Sequence, residues 1–127
     1  MIKWLLGAAV LVAASARCST PPQIDFYVTG ERYMNGGGYA ALVCIYQLRS
    51  DTNFLRIQRE LFWREGQKTL QSDIVGTRKE VMLAPNEIQV LTIELANETN
   101  FIGAAADLRK PEGDTWRQLY PLGPKIK

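Results

Sequence analysis

The chain has 127 residues, 46% of them hydrophobic, with 15 basic and 13 acidic side chains and no histidine. This length accommodates one domain with one hydrophobic core. The absence of histidine removes the Ser-His and Cys-His pairs of common hydrolases and most zinc sites, and two cysteines cannot form a metal cluster. The near balance of charge offers no basic surface for nucleic acid or for an anionic membrane. We therefore expect a single domain with neither metal nor cofactor.

The N-terminal residues have the pattern of a bacterial export signal. Lys3 provides a positive charge, Trp4–Val12 is an apolar run of nine residues, and small residues follow up to Ala16. The run is about half the ~20 residues that a membrane-spanning helix needs. We therefore predict a signal peptide over residues 1–17. Its removal leaves 110 residues with 13 basic and 13 acidic side chains.

Two cleavage sites fit this leader. Ala14-Ser15-Ala16 is a small-x-small site that would release a soluble protein beginning at Arg17. Small residues before Cys18 resemble instead a lipobox, in which cleavage leaves Cys18 as an acylated N-terminus. Arg17 departs from that motif, because Gly, Ala or Ser normally precedes the cysteine. The residues alone leave both sites open, and they also allow a disulfide between Cys18 and Cys44.

Alternating hydrophobicity predicts strands through most of the remaining chain. Pro21-Pro22 makes residues 18–22 an extended tether, residues 23–122 form the folded domain, and residues 123–127 form a tail. The pattern predicts an all-β fold, a two-sheet antiparallel β-sandwich. The apolar segment around Cys44 indicates a central strand with that thiol buried. The predicted strands are 23–29, 39–48, 77–83, 87–95, 101–108 and 116–122.

The hydrophobic period changes to that of a helix after the second of these strands. Phe54, Ile57 and Leu61 share one face of a helix over residues 52–64. Asp51 is its expected N-cap and Gly66 its expected stop. We therefore predict a short helical insertion at about residues 51–66, with its apolar face covering the sandwich.

The segment between the first two predicted strands is the candidate binding loop. Its three consecutive glycines allow a partner to approach the backbone closely, and no Gly-Lys-Ser/Thr follows as in a phosphate loop. Tyrosine and arginine are common interface anchors, and methionine adapts to irregular surfaces. The alternative is a slack hairpin loop with solvent-exposed aromatic side chains. The candidate contact residues are Glu31, Arg32, Tyr33, Met34, Asn35, Gly36, Gly37, Gly38 and Tyr39.

Other conspicuous side chains have structural explanations. Trp116 and Phe101 fit a hydrophobic core better than a ligand platform. Asp73, Asp107 and Arg109 suggest a structural ion pair. The carboxylates are dispersed along the chain, so no acid–base pair is apparent.

A set of sequence segments also carries a family resemblance. The segments are Ile45–Arg49 (IYQLR), Phe54, Leu70–Asp73 (LQSD), Glu80–Pro85, Phe101–Arg109 and Trp116–Arg117. In this order they resemble the outer-membrane lipoprotein of the type VI secretion system, the TssJ family, over most of residues 24–122. Two features depart from the family: Arg17 before Cys18, and Asn35–Gly38 where relatives often carry an Asn-Pro-type loop.

The resemblance implies a transthyretin-like β-sandwich without catalytic activity, held in the outer membrane by lipid on Cys18 and facing the periplasm. Ser19 after the cysteine is compatible with sorting to that membrane. The resemblance also implies that the loop at 31–39 contacts the periplasmic C-terminal domain of the large inner-membrane subunit, a TssM-like protein. The alternative is a soluble periplasmic or secreted β-sandwich, cut after Ala16, that binds a small ligand or carbohydrate.

Overall fold

The computed structural model describes the backbone of residues 2–11 and both backbone and side chains of residues 22–123. Cys18, most of the predicted tether and most of the predicted tail lie outside the described residues. Among the described helices, none has the length and apolar character needed to cross a membrane. In chain order the elements are β1 (Ile2–Leu11), β2 (Gln23–Gly30), α1 (Met34–Gly37), β3 (Ala41–Leu48), α2 (Thr52–Arg56), α3 (Arg59–Thr69), β4 (Ile74–Leu83), β5 (Ile88–Glu94), β6 (Phe101–Asp107) and β7 (Arg117–Pro121).

The strands form two antiparallel sheets, which confirms the predicted β-sandwich. The smaller sheet has the order β1-β2-β5 and the larger sheet the order β4-β3-β6-β7. The sequence did not predict β1, because its apolar run has the character of an export signal as well as that of a strand. Its backbone pairs with β2 in one register from Ile2 opposite Gly30 to Gly7 opposite Asp25, and after a register shift Leu11 lies opposite Gln23. The signal peptide stays a prediction.

The core between the sheets is made by alternate residues of the strands. Phe26 of β2 and Ile93 of β5 pack in one buried cluster with Val43 and Ile45 of β3. The ring of Phe26 also contacts that of Tyr120 on β7, edge to face, with centroids 5.3 Å apart. Burying one such side chain contributes roughly 1.5–3 kcal/mol. The packing therefore fixes which face of each strand points inward.

A second core lies on the opposite face of the larger sheet, under the helices. There the ring of Phe62 from α3 lies 5.7 Å from that of Tyr46 on β3 and 5.3 Å from that of Trp116. Trp116 is buried, and Phe101 packs against the same cluster. Cys44 is buried beside them, and burial raises the pKa of its thiol to about 11. The domain thus has three layers: small sheet, large sheet and helices.

The helical insertion differs from the single helix predicted over residues 52–64. The helix breaks at Ile57 and Gln58, whose ψ angles of 135° and 144° are extended. At this break the guanidinium Nη1 of Arg117 donates hydrogen bonds to the carbonyl oxygens of Phe54, at 2.9 Å, and Ile57, at 2.7 Å. Carbonyl groups at a helix end need such partners. Arg117, far away in the sequence, therefore satisfies the end of α2.

Of the two predicted helix ends, the position of the first is confirmed, since Asp51 is the N-cap residue of α2, and the second is wrong. Asp51 makes no side-chain capping bond to the backbone of α2. Its carboxylate instead accepts a hydrogen bond from the hydroxyl of Thr52 at 3.3 Å. The last helix of the insertion, α3, does not stop at Gly66 but continues to Thr69. Tertiary contacts of the insertion, more than local caps, set its boundaries.

Candidate partner-binding surface

The candidate loop, residues 31–39, leaves the small sheet at a glycine that tolerates no side chain. The N–H of Gly30 donates to the carbonyl of Glu87 at 2.8 Å, and its carbonyl accepts from the N–H of Asn86 at 2.9 Å. A Cβ at this position would overlap the carbonyl oxygen of Ala84 and would lie 2.7 Å from Sδ of Met34. The start of the loop is therefore packed tightly against the turn between β4 and β5.

Met34 is the buried anchor of the loop. Its side chain has no exposed surface and belongs to the core cluster between the sheets. The sequence placed Met34 among the residues that would contact a partner. In the structure Met34 is a core residue instead, and its unbranched thioether fills the space between the loop and the core. Met34 therefore supports the loop from below.

The backbone after Met34 turns through an unusual left-handed stretch. The φ angles of Asn35, Gly36, Gly37 and Gly38 are 55°, 78°, 127° and 93°. Glycine adopts such angles readily, and asparagine tolerates them better than most residues. The carbonyl of Met34 accepts hydrogen bonds from the N–H groups of Gly38 at 2.8 Å and Tyr39 at 3.1 Å. The glycines thus form an ordered turn, whereas the alternative from the sequence was a slack loop.

Asn35 links this turn to two other parts of the chain. Its Nδ2 donates to the carbonyl of Ala40 at 2.8 Å, and its Oδ1 accepts from the backbone N–H of Arg109 at 2.6 Å. Arg109 lies in the connection between β6 and β7. The amide of Asn35 therefore closes the loop on itself and fastens it to a neighbouring loop.

Two tyrosines stand out from this framework, and each has an arginine against its ring. Tyr33 is 70% exposed and Tyr39 is 53% exposed. The guanidinium carbon of Arg32 lies 5.3 Å from the centroid of Tyr33, and that of Arg109 lies 4.4 Å from the centroid of Tyr39. Cation–π pairs of this kind contribute about 0.5–1 kcal/mol at exposed sites. We call Arg32, Tyr33, Tyr39 and Arg109 the loop surface.

Sequence reasoning missed Arg109 as a member of this surface. Arg109 was expected to form a structural ion pair with Asp73 or Asp107, but its guanidinium stacks on Tyr39 instead. Asp73 accepts a hydrogen bond from Nδ2 of Asn53 at 2.9 Å. No local signal in the sequence places Arg109 beside Asn35, since the contact depends on how the two loops fold back on the same end of the sandwich.

The turn between β4 and β5 supports the loop from the other side. The carboxylate of Glu87 accepts hydrogen bonds from Nε2 of Gln89, at 2.6 Å, and from the N–H of Ala84, at 3.1 Å. These bonds hold the pKa of Glu87 below its usual value, the bond from Gln89 having the larger effect. The charged carboxylate therefore stabilises the turn on which Gly30 rests.

The structure offers little to the alternative of a small-ligand site. A cavity of about 480 Å³ lies beside the helices, lined by Tyr46, Arg78 and Glu80 among others. Arg78 donates to the hydroxyl of Tyr46 at 3.3 Å and pairs with Glu80 at 2.6 Å, so these polar groups bind one another. Throughout the part of the chain that the structure describes, no three cysteine or carboxylate side chains lie together as a metal site would require.

Comparison with known protein families identifies the fold and its relatives. A model of the family described as type VI secretion lipoprotein, which includes VasD, EvfM and TssJ, matches residues 22–126. The chain belongs to this family. The resemblance seen in the sequence is therefore confirmed. None of the curated proteins compared with this type VI secretion lipoprotein matches it.

Solved structures share the fold. Serratia marcescens Lip, a membrane-bound component of the type VI secretion system, has a TM-score of 0.76 and 20% identity, covering 83% of this lipoprotein and 78% of that chain. The lipoprotein TssJ1 from Pseudomonas aeruginosa has a TM-score of 0.74 and 24% identity, with 84% and 83% covered. A chain from a structure described as the TssM C-terminal domain (869-1107) from EAEC has a TM-score of 0.64 and 23% identity, with 78% and 79% covered.

Proposed function

We propose that this type VI secretion lipoprotein is anchored in the outer membrane by lipid on Cys18 and captures the periplasmic C-terminal domain of a TssM-like inner-membrane subunit through its loop surface. Membership of the lipoprotein family and the shared fold support this proposal. In this function the protein is a structural subunit and catalyses no reaction.

The position of β2 separates the anchor from the loop surface. Cys18 precedes Gln23, the first residue of β2, by five residues, which span at most about 18 Å when extended. The eight residues of β2 run about 26 Å further and end at Gly30, directly before the loop. A lipid on Cys18 therefore places one end of the sandwich near the membrane and directs the loop surface away from it.

The observation that carries the proposal is the ordered display of Tyr33 and Tyr39. Both side chains are exposed on a turn that Asn35 and the buried Met34 hold in place. Large aromatic side chains and arginine dominate the binding energy of many interfaces. A preformed surface also loses less conformational entropy when a partner binds. The loop surface therefore has residue types common in binding sites, and the hydrogen bonds of Asn35 connect the turn that carries them to the rest of the domain.

The chemistry of the domain favours a structural role over catalysis. Cys44 is the free thiol among the described residues, and burial raises its pKa to about 11, so it stays protonated near neutral pH. Arg78, Tyr46 and Glu80 satisfy one another in the cavity beside the helices. We infer that the protein contributes contacts to an assembly and no reactive group.

Binding of the purified periplasmic domain of the TssM-like subunit tests this proposal. We expect Tyr33→Ser and Tyr39→Ser together to weaken binding by about 30-fold or more, the effect of losing a hot spot of ~2 kcal/mol. The matched control is Leu55→Ser, because Leu55 is also exposed but lies on α2 in the helical layer. Equal binding by the double variant and the control would contradict the proposed role of the loop surface.

A further inference from the structure

Strand β1 lies along the outer edge of β2 in the uncleaved chain. The two backbones pair in antiparallel register, with Leu5 opposite Tyr27 and Gly7 opposite Asp25. Residues 2–11 belong to the segment that the proposed function removes as a signal peptide. In the matured protein, β2 would therefore become the edge of the small sheet.

The hydrogen bonds of β2 show which of its backbone groups face this edge. The N–H of Gly30 donates to Glu87 at 2.8 Å, and the carbonyl of Pro22 accepts from the N–H of Leu95 at 2.7 Å. In an antiparallel ladder, alternate residues bond to opposite neighbours. The even-numbered residues of β2 thus bond to β5. It follows that Asp25, Tyr27 and Thr29 direct their N–H and carbonyl groups to the edge that β1 covers.

The other sheet edges have features that discourage pairing with another chain. β7 has only five residues and ends in Pro121. β4 carries the exposed charges of Arg78 and Lys79 and has a register shift opposite β3. Charges, proline, short length and irregularity are the usual protections of an edge strand. On the outer edge of β5 the carbonyl of Glu94 already accepts a hydrogen bond from Nε2 of Gln47 at 2.9 Å, and the side chain of Gln89 donates to the carbonyl of Met82 in β4 at 2.8 Å.

β2 lacks these protections over most of its length: its pairing with β1 shifts register only opposite the start of β2, between Gly7 and Leu11, where the extra residues lie in β1. Its eight residues include no proline, lysine or arginine. Seven successive residues of β2, from Gln23 to Thr29, pair with β5 without a register shift. Its one charged side chain, Asp25, already accepts a hydrogen bond from the hydroxyl of Thr92 at 2.9 Å. A long, regular and unprotected edge readily accepts another strand.

We propose that removal of the leader opens the edge of β2 to an extended segment of the periplasmic partner, which pairs antiparallel with β2 as β1 does in the uncleaved chain. This inference rests on the proposed function and adds a second contact to it. The edge runs directly into the loop at Gly30, so one partner can contact both without a gap. The segment that fits has alternating apolar residues, because one of its faces extends the core beside Phe26 and Tyr120.

Residue-resolved amide hydrogen exchange of the matured lipoprotein, measured by NMR in detergent, tests the pairing. In the free protein we expect fast exchange at Asp25, Tyr27 and Thr29, and slow exchange at Phe26 and Val28, which bond to β5. Addition of the TssM-like periplasmic domain should slow the three odd-numbered amides by at least about tenfold. Slow exchange at these amides in the free protein would overturn the proposal, since the edge would already be covered.

A pair of substitutions at the centre of the edge provides a second test. Tyr27→Pro removes an outward-facing N–H, whereas Tyr27→Thr removes the same ring and keeps that N–H. We expect Tyr27→Pro to bind the partner domain about tenfold more weakly than Tyr27→Thr, which corresponds to ~1.4 kcal/mol. Equal binding by the two variants would overturn the proposal. If Tyr27→Pro fails to fold, the exchange measurement alone decides.

The two proposals fail in different ways. Binding that depends on Tyr33 and Tyr39 but leaves the exchange of Asp25, Tyr27 and Thr29 unchanged would refute edge pairing and retain the proposed function. Absence of any binding between the lipoprotein and the partner domain would refute both.

Discussion

The backbone N–H of Arg109 donates a 2.6 Å hydrogen bond to Oδ1 of Asn35, across 74 residues of sequence. This bond joins the loop between β2 and β3 to the connection that follows β6. Arg109 then stacks on Tyr39, so both loops contribute to one exposed surface. The surface proposed to bind the partner is therefore composite, and its shape is set before binding.

Replacement of Asn35 tests this link. Asn35→Ala removes two hydrogen bonds and the tolerance of a left-handed φ of 55°. We expect a loss of roughly 1–2 kcal/mol in the free energy of unfolding, measured in urea, with weaker partner binding. Asn35→Asp keeps the acceptor for Arg109 and loses the donor to Ala40, so it should lie between wild type and Asn35→Ala. Wild-type stability of both variants would show that the link is unimportant.

Substitution of Gly30 tests the packing at the start of the loop. A Cβ there overlaps the carbonyl oxygen of Ala84 and comes 2.7 Å from Sδ of Met34. Gly30→Ala should therefore destabilise the domain by about 1–3 kcal/mol, as overpacking does in other cores. Gly123→Ala is the control, because a Cβ at position 123 meets nothing within 4 Å. A melting temperature of Gly30→Ala equal to that of Gly123→Ala would contradict the described packing.

Removal of the Arg117 guanidinium tests the cause of the helix break. Its side chain is only 9% exposed and bonds to the carbonyl groups of Phe54 and Ile57. Arg117→Met keeps much of the apolar stem but leaves those two carbonyl groups without their hydrogen-bond donor. We expect it to lower the free energy of unfolding, measured in urea, by roughly 2–4 kcal/mol. Arg117→Lys keeps the charge without the planar fork, so we expect only partial rescue. Full stability of Arg117→Met would mean that the break has another cause.

The buried thiol predicts how stability depends on pH. Burial raises the pKa of Cys44 from 9.0 to about 11, so between these values the unfolded chain releases a proton that the folded chain retains. The stabilisation is therefore complete below pH 9 and is lost as the pH rises towards 11. Cys44→Ala removes this contribution. We expect the difference in the free energy of unfolding between wild type and Cys44→Ala to be constant below pH 9. Above pH 9 wild type should lose stability relative to Cys44→Ala. A difference that stays constant up to pH 11 would contradict the pKa shift.

The alternation of apolar and polar residues predicted the sandwich, because the apolar residues that alternate in the sequence are the ones buried in the structure. Ile24, Phe26 and Val28 alternate with polar residues in the sequence and are buried in the structure. The residues behind the family resemblance are also largely structural. Tyr46 and Trp116 lie in the core under the helices, so these motifs identify the fold more directly than they identify the binding surface.

The features that the sequence did not predict depend on contacts between distant residues. The break between α2 and α3 depends on Arg117, which is 60 residues from Ile57. The order of the glycine turn depends on Asn35 reaching Arg109. Met34 resembled a surface contact because hydrophobic side chains are common at interfaces, but the turn directs it into the core. Neither helical nor strand periodicity contains this information.

The attachment of the protein to a membrane is the central claim, and the mass of the matured chain tests it most directly. Protein extracted from membranes would be measured intact beside a Cys18→Ala variant. We predict a chain that begins at Cys18 and carries the added mass of three acyl chains, absent from the variant. An unmodified chain that begins at Arg17 would contradict the lipid anchor and would mean that the protein is released as a soluble domain.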